Sequence, residues 1–253
     1  MVSLKVRQKK VVKKSLKKII KSIPINFTLN QKYDAQTKQI MKIVLEPEST
    51  FVDVGSHKGE ILSIALKISP KGSHHAFEPI PKIHEKLDAK FGKICKVKNL
   101  CISNEVGESS FNFVESNPAY SGIRMRNYPK KEKINKIKVK LDTLDNQLLN
   151  QERLDMIKID VEGGELNVLK GSVRVMQKFH PVILFEHGQG ASEFYNTTPE
   201  DIYRFFEHQN YEILTLRSFI ANMDSLSEEE FRELYDTNLE YYFLAKLKVA
   251  VLV

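Results

Sequence analysis

The chain has 253 residues, 39 Lys and Arg against 32 Asp and Glu, 42% hydrophobic residues, two cysteines and no tryptophan. At ~150 residues per domain this makes one or two domains, and no run approaches the ~18 apolar residues of a spanning helix, so the composition excludes an integral membrane protein, a collagen and a wholly disordered chain. Cys95 and Cys101 are too few for a disulfide scaffold or a four-thiolate zinc site; they read as two thiols packed in a reducing compartment.

The net charge of +7 is not spread along the chain. Residues 1–22 hold nine cations and no acid, which leaves 30 basic against 32 acidic residues in the rest. Val12, Leu16, Ile19, Ile20 and Ile23 fall at helical spacing before Pro24, so residues 1–23 read as a basic amphipathic helix. Such a helix docks on an anionic membrane surface, or is simply a solvated extension; both readings stay open. No continuous apolar segment follows the cations as in a secretory signal, and the expected location is cytoplasmic, peripheral to the membrane if the helix docks.

Residues 24–253 read as one domain. Residues 50–54 form an apolar strand that runs into Gly55-Ser56-His57-Lys58-Gly59, and Ile61, Leu62, Ala65 and Ile68 mark the helix after it. Residues 75–77 make a second strand ending at Glu78, and Ile83, Leu87 and Phe91 a second helix opened by Pro81. Residues 97–102 read as a third strand. Residues 104–140 break the rhythm, because 110–114 and 136–139 alternate like antiparallel strands; this is an antiparallel β insertion. The βαβ pattern resumes with a strand at 155–160, one helix carrying Leu166, Leu169, Val173 and Met176, and a strand at 181–185. Thr198 and Pro199 start another helix, and strands at 211–216 and 241–247 close the sheet. Residues 217–238 read as charged and irregular, covering the acceptor side.

Strands with crossover helices make an α/β doubly wound sheet, which binds ligands beyond the carboxyl ends of its strands. Those ends hold Asp53 to Gly59, Glu78, Ile102 and Ser103, Asp160 to Glu165, and Glu186 to Gly188. The loop lacks the middle glycine of a dinucleotide fingerprint and follows an acid, so it suits no pyrophosphate. Glu78 stands where a carboxylate takes ribose hydroxyls. A nucleoside bearing an amino group and a sulfonium, S-adenosylmethionine, meets all these conditions. The bland alternative has Asp53 capping a helix and Glu78 as a surface acid.

The stretches Phe51-Val-Asp-Val-Gly-Ser-His-Lys-Gly, Phe77-Glu-Pro, Cys101-Ile-Ser-Asn-Glu-Val-Gly-Glu, Leu141-Asp-Thr-Leu-Asp, Ile157-Lys-Ile-Asp-Val-Glu-Gly-Gly-Glu and Val168-Leu-Lys-Gly come in one order over residues 50–187. In this the chain resembles the FkbM-type S-adenosylmethionine-dependent methyltransferases. The resemblance implies a Rossmann-like class I methyltransferase sheet, mostly parallel with its last strand antiparallel, and O-methylation of a hydroxyl on a sugar, glycan or small natural product. It further implies that Asp53, Gly55 and Gly59 line the methionine half of the cofactor, Ser56 and His57 also contact the cofactor, Glu78 holds the ribose, Cys101, Ile102 and Ser103 flank the adenine, and Asp160 sits beside the methyl group.

Removing a proton from a sugar hydroxyl needs a general base, and Asp160, Glu162, Glu186 and His187 are the candidates on the rim. Glu162 and Glu165 can equally be structural, at the start of a helix. Asp160, Glu162 and Glu186 are also oxygen donors of the kind Mg²⁺ takes, but no spacing there is specific to a metal and none is assigned. Two other readings compete: a catalytically silent methyltransferase-like module that docks through the basic helix, and a nucleotide-binding Rossmann enzyme. Nucleic acid as substrate ranks low, because the body is near neutral and lacks an Asn-Pro-Pro-aromatic motif.

Overall fold

The structure, a computed structural model, describes residues 28–128 and 130–248; the basic amphipathic helix expected over 1–23 lies outside them. The chain divides into two units after Ala35, and of the first only residues 28–35 are described. Among the described residues no helix is long and apolar enough to cross a membrane.

In chain order the elements are α1 (Leu29–Val44), β1 (Phe51–Val54), α2 (Glu60–Ile68), β2 (His75–Phe77), α3 (Pro81–Phe91), β3 (Lys96–Lys98), β4 (Cys101–Ile102), β5 (Gly107–Val114), β6 (Ile134–Asp142), α4 (Leu144–Leu148), β7 (Met156–Ile159), α5 (Glu165–Lys170), α6 (Val173–Phe179), β8 (Val182–Glu186), α7 (Pro199–His208), β9 (Tyr211–Thr215), α8 (Leu216–Ile220), α9 (Glu228–Asp236) and β10 (Tyr242–Leu247). Short 3₁₀ turns occupy Pro118–Tyr120 and Ser192–Tyr195. Seven strands form one sheet in the order β3-β2-β1-β7-β8-β10-β9, and β4-β6-β5 form a second. In the large sheet β1, β2, β3, β7 and β8 are parallel, whereas β10 runs antiparallel to both β8 and β9. This is the expected sheet, with the antiparallel β5–β6 pair beside it.

Central parallel strands are covered on both faces and read as continuous apolar runs, which is why β1 and β7 are buried at every position. One face carries Val52, Val54, Ile157, Ile159, Ile183, Phe185 and Phe243, packed with Leu166, Val168 and Leu169 of α5, Ile202 and Phe206 of α7 and Phe231 of α9. The T-shaped pair Phe231–Phe243, with centroids 4.7 Å apart, seats α9 on this face.

Three expectations are corrected. The single third strand is two, in different sheets. After Lys98, Asn99 Nδ2 donates to the carbonyls of Glu78 and Pro79 at 2.8 and 3.0 Å, ending the pairing with β2, and Cys101 and Ile102 pair instead with Leu141 and Asp142. The single helix after β7 is also two. Gly171 lies so close to Ser103 that a Cβ would stand 2.1 Å from its carbonyl oxygen, and Asp145 accepts from Val175 N at 2.8 Å and Arg174 N at 3.2 Å, capping the new helix. Residues 217–238 contain most of α8 and all of α9. Thr215 caps the first, and Ser227 with Glu230 closes a capping box on the second.

Candidate functional site

Strand order reverses at β1, which pairs with β2 on one side and β7 on the other, so the carboxyl ends of β1, β2, β7 and β8 share one rim. The register sets Asp53 beside Lys158, Lys158 beside Leu184, and Tyr242 beside Glu186. Side chains alternate along a strand. Asp53, Lys158, Glu186 and Tyr242 therefore share one face, and Val54, Ile159, Phe185 and Phe243 turn to the core on the other.

The β1–α2 turn is tight. Gly55, His57 and Gly59 have φ of 79°, 46° and 69°, and Gly59 N donates to Ser56 O at 2.7 Å. A Cβ on Gly55 would stand 1.9 Å from the Asp160 carbonyl oxygen, so only glycine brings these two loops together. Ser56 Oγ donates to Asp53 O at 2.7 Å. Glu78, 4% exposed, accepts from His57 N on Oε2 and from Ile80 N on Oε1, each at 2.9 Å, so it fixes the turn as well as facing it. Burial pushes its carboxyl up to about 7, with the two amide bonds pulling the other way.

Asp53 is 1% exposed. Lys158 Nζ lies 3.4 Å from its Oδ1, 3.3 Å from Asp160 Oδ2 and 3.4 Å from the Gly55 carbonyl oxygen. The contact with Asp53 is an ion pair without hydrogen-bond geometry, and Asp53 Oδ1 is a buried oxygen with no hydrogen-bond partner. Burial raises the Asp53 carboxyl, Lys158 opposing. Burial also opposes the charge on Lys158, but Asp160 and Asp53 outweigh it and hold the ammonium well above its ordinary value. The sequence offered no sign of Lys158 beyond a charge inside an apolar run.

Beyond β7 the chain doubles back. Glu162 has φ 61°, and Glu165 Oε1 accepts from Val161 N and Gly163 N at 3.0 and 3.2 Å, so Glu165 clamps the turn. Oxygens of Asp160, Glu162 and Glu186 lie within 4.8 Å of one another. Burial and then the Asp160 charge push Glu162 up to about 8, against the pull of Arg126, whose Nη2 is 2.7 Å from Glu162 Oε2. Burial raises Glu165 to about 7. Burial, then Asp160, Glu162 and Glu165, drive Glu186 well above the carboxylate range. Tyr242 is held well above its ordinary value by burial, with Lys158 opposing and Asp160 and Glu186 adding to it; like Lys158, it is a group of the site that the sequence did not reveal.

Two sets of expected residues lie elsewhere than the rim of the large sheet. Cys101, on β4, packs with Ile80, Phe111, Val139 and Leu141, while Ile102 joins the main core. Ser103 N donates to Asp142 O at 2.9 Å. Burial, then the Glu78 charge, pushes the Cys101 thiol up to about 12, so it is an inert thiol next to the ribose carboxylate candidate. His187, 1% exposed, turns away from the carboxylates and stacks on Tyr235 at 4.9 Å and Phe231 at 5.8 Å between centroids. Both its ring nitrogens lack hydrogen-bond partners, and burial lowers it to about 4.

The sequence profile of the family described as the methyltransferase FkbM domain matches residues 53–213. The antimetabolite synthetase AmbE of Pseudomonas aeruginosa is 25% identical over 183 residues, which are 57% of this chain and 9% of that protein; the chain thus spans under a tenth of this curated relative. The crystal structure of methyltransferase FkbM from Methylobacillus flagellatus aligns over 80% of this chain and 44% of its own, at 15% identity and a TM-score of 0.47. Precorrin-6y C5,15-methyltransferase from Geobacter metallireducens aligns over 90% of this chain and 93% of its own, at 11% identity and a TM-score of 0.46.

Proposed function

The chain belongs to the methyltransferase FkbM domain family, and from that premise we propose that it methylates a hydroxyl of a sugar, glycan or small natural product with S-adenosylmethionine. The observation that carries this reading is the buried Asp53 Oδ1 at the switch point, which accepts no hydrogen bond and meets only the Lys158 ammonium, at 3.4 Å. A buried carboxylate oxygen that accepts no hydrogen bond costs free energy until a donor reaches it, and the amino group of the cofactor is such a donor.

Glu78 would hold the ribose, since each of its oxygens accepts one amide and keeps a lone pair for a hydroxyl. The turn from Gly55 to Gly59, with Ser56 and His57, would face the methionine half, and Cys101, Ile102 and Ser103 would wall the adenine. When bound, the cofactor supplies an electrophilic methyl on a sulfonium. The protein's part is to hold the acceptor oxygen about 3–3.5 Å from that carbon and to take its proton, which typically contributes 10²–10⁴-fold. The cluster of Asp160, Glu162 and Glu186 is suited to the proton, because burial raises Glu162 to about 8 and Glu186 well above the carboxylate range. His187 is not suited: it is neutral, weakly basic and turned into the aromatic core.

Calorimetric titration of S-adenosylhomocysteine into the protein, with Asp53→Asn and Glu78→Ala beside it, is the test. Micromolar binding weakened by both substitutions supports the reading, whereas no binding by a folded sample removes it. The nine cations of residues 1–22 support docking of the tail on an anionic membrane. Liposome sedimentation that survives deletion of those residues rules that out.

A further inference from the structure

Between β5 and β6 the insertion folds back over the acidic loop. Val114 N donates to Ser121 Oγ at 3.0 Å, Asn112 Nδ2 donates to the carbonyls of Gly122 and Ile123 at 3.3 and 2.9 Å, and Arg124 N donates to Tyr195 Oη at 3.2 Å. These bonds tie the segment to β5 on one side and to the 3₁₀ turn Ser192–Tyr195 on the other. Arg126 is then held twice. Its guanidinium lies over the Tyr120 ring, 4.7 Å from the centroid, with Tyr120 itself stacked on Tyr128 at 6.2 Å, and its Nη2 meets Glu162 Oε2 at 2.7 Å. The two side chains of the ion pair are only 13% and 19% exposed. Glu162 has φ 61°, and the Gly163 that follows must be glycine, because a Cβ there would stand 2.5 Å from Ala191 O.

We propose that Arg126 is a positioning residue that singles out Glu162, within the acidic cluster, as the group that takes the acceptor's proton. The proposal rests on the methyltransferase reading above and deepens it. Carboxylates whose oxygens lie within 4.8 Å cannot all be ionised, and where the shared proton rests depends on their partners. The charges facing Glu162 are Asp160 and Glu165 on its own loop, Glu186 from β8, Lys158 from β7 and Arg126 from the insertion. Lys158 stands against Asp160 and Arg126 against Glu162, while Glu186 forms no ion pair among the described residues. The proton therefore rests on Glu186, and Asp160 is engaged by Lys158. Glu162 is oriented through one oxygen by Arg126, which pulls its carboxyl down against burial and Asp160, so that it ionises as pH rises through about 8. As the acceptor oxygen bonds the methyl carbon, the carbon–sulfur electron pair returns to sulfur as a neutral thioether, and the hydroxyl proton passes to Glu162.

The test needs no acceptor. Glutamate labelled with ¹³C at Cδ is titrated by NMR in the full chain with S-adenosylhomocysteine and EDTA present, and Glu162→Gln identifies the resonance. Arg126→Gln is expected to move the Glu162 midpoint up by about one pH unit or more, since an opposite charge at this range typically lowers a carboxyl by that much. Arg126→Lys, a point charge without the planar fork, is expected to move it up by less. Affinity for S-adenosylhomocysteine stays unchanged in both. A midpoint that stays or falls in Arg126→Gln, with the ligand still bound, overturns the proposal and leaves the methyltransferase reading standing. If that variant does not fold, Arg126→Lys decides in its place: a rise supports the proposal, and a midpoint that stays or falls overturns it. Wild-type protein that fails to bind S-adenosylhomocysteine removes the methyltransferase reading instead, and the proposal with it.

Discussion

Lys158 and Asp53 are register partners on adjacent parallel strands, both buried, with Nζ and Oδ1 3.4 Å apart. Breaking a buried pair from one side leaves the other charge uncompensated, which costs about 3–5 kcal/mol. Lys158→Met is thus expected to destabilise by roughly that amount in urea unfolding, and Lys158→Met with Asp53→Asn to recover much of it. A double variant no more stable than the single one would show that the two groups do not act as a pair.

Glu78 has two duties, and its substitution should reveal both. Asp160→Ala and Glu78→Ala both follow from the proposed function as losses of methyl transfer, but only the second removes acceptors from backbone amides, the buried one of Ile80 and the part-buried one of His57. Each amide left bare costs about 1–3 kcal/mol. Glu78→Ala is therefore expected to lower the unfolding midpoint as well as the affinity for S-adenosylhomocysteine, and Asp160→Ala to leave the midpoint near wild type. Equal midpoints for the two variants would contradict the clamp role of Glu78.

Gly55 and Gly190 provide a matched comparison, since both have positive φ, 79° and 91°. Alanine at 190 meets nothing within 4 Å and carries only the backbone strain, about 1–2 kcal/mol. Alanine at 55 must in addition push the Asp160 carbonyl aside. Gly55→Ala is expected to abolish S-adenosylhomocysteine binding and to destabilise clearly more than Gly190→Ala; similar midpoints would argue that the two loops are not in contact.

Stability should depend on pH in a particular window. Glu78 and Glu165 titrate near 7 in the fold and near 4.5 as ordinary carboxyls, so the folded state binds their protons more tightly; their stabilisation is complete below 4.5 and lost as pH rises through 7. His75 and His187, lowered to about 4 from 6.5, contribute above 6.5 and lose that contribution as pH falls through 4. Above pH 6.5 only the carboxylates act, and the urea midpoint of ligand-free protein is expected to decline from there to about pH 8. Glu165→Gln keeps a carbonyl for the amides of Val161 and Gly163 and is expected to flatten the decline, whereas His187→Phe is expected to flatten the acid side only.

The strands were legible because parallel pairing demands unbroken apolar runs, and Phe51–Val54 and Met156–Ile159 are such runs. The rim carboxylates followed from strand ends alone. What escaped depends on long-range contacts. Asn99 ends β3 by reaching the carbonyls of Glu78 and Pro79, and Asp145 splits the helix after β7 from about thirty residues upstream. Arg126 sits in a segment without periodicity, and only the fold brings it to Glu162. His187, one residue along the chain from Glu186, falls on the opposite face of the sheet and stacks among aromatic rings, a placement that strand ends alone do not reveal. The helix α9 did carry a readable signal, Ser227 followed three residues later by Glu230, and the density of charge around it obscured that.

The position of β10 has a consequence for how the protein is made. It is the last described strand and yet sits inside the sheet, between β8 and β9. Until Tyr242–Leu247 has left the ribosome, β9 has no neighbour to bond and β8 presents a bare edge, with Phe185 and Phe231 still lacking Phe243. A nascent chain halted before Tyr242 therefore carries two open strand edges above an unfinished aromatic cluster. Unpaired strand edges and bare apolar surface of this kind are what make a partly folded chain prone to aggregate.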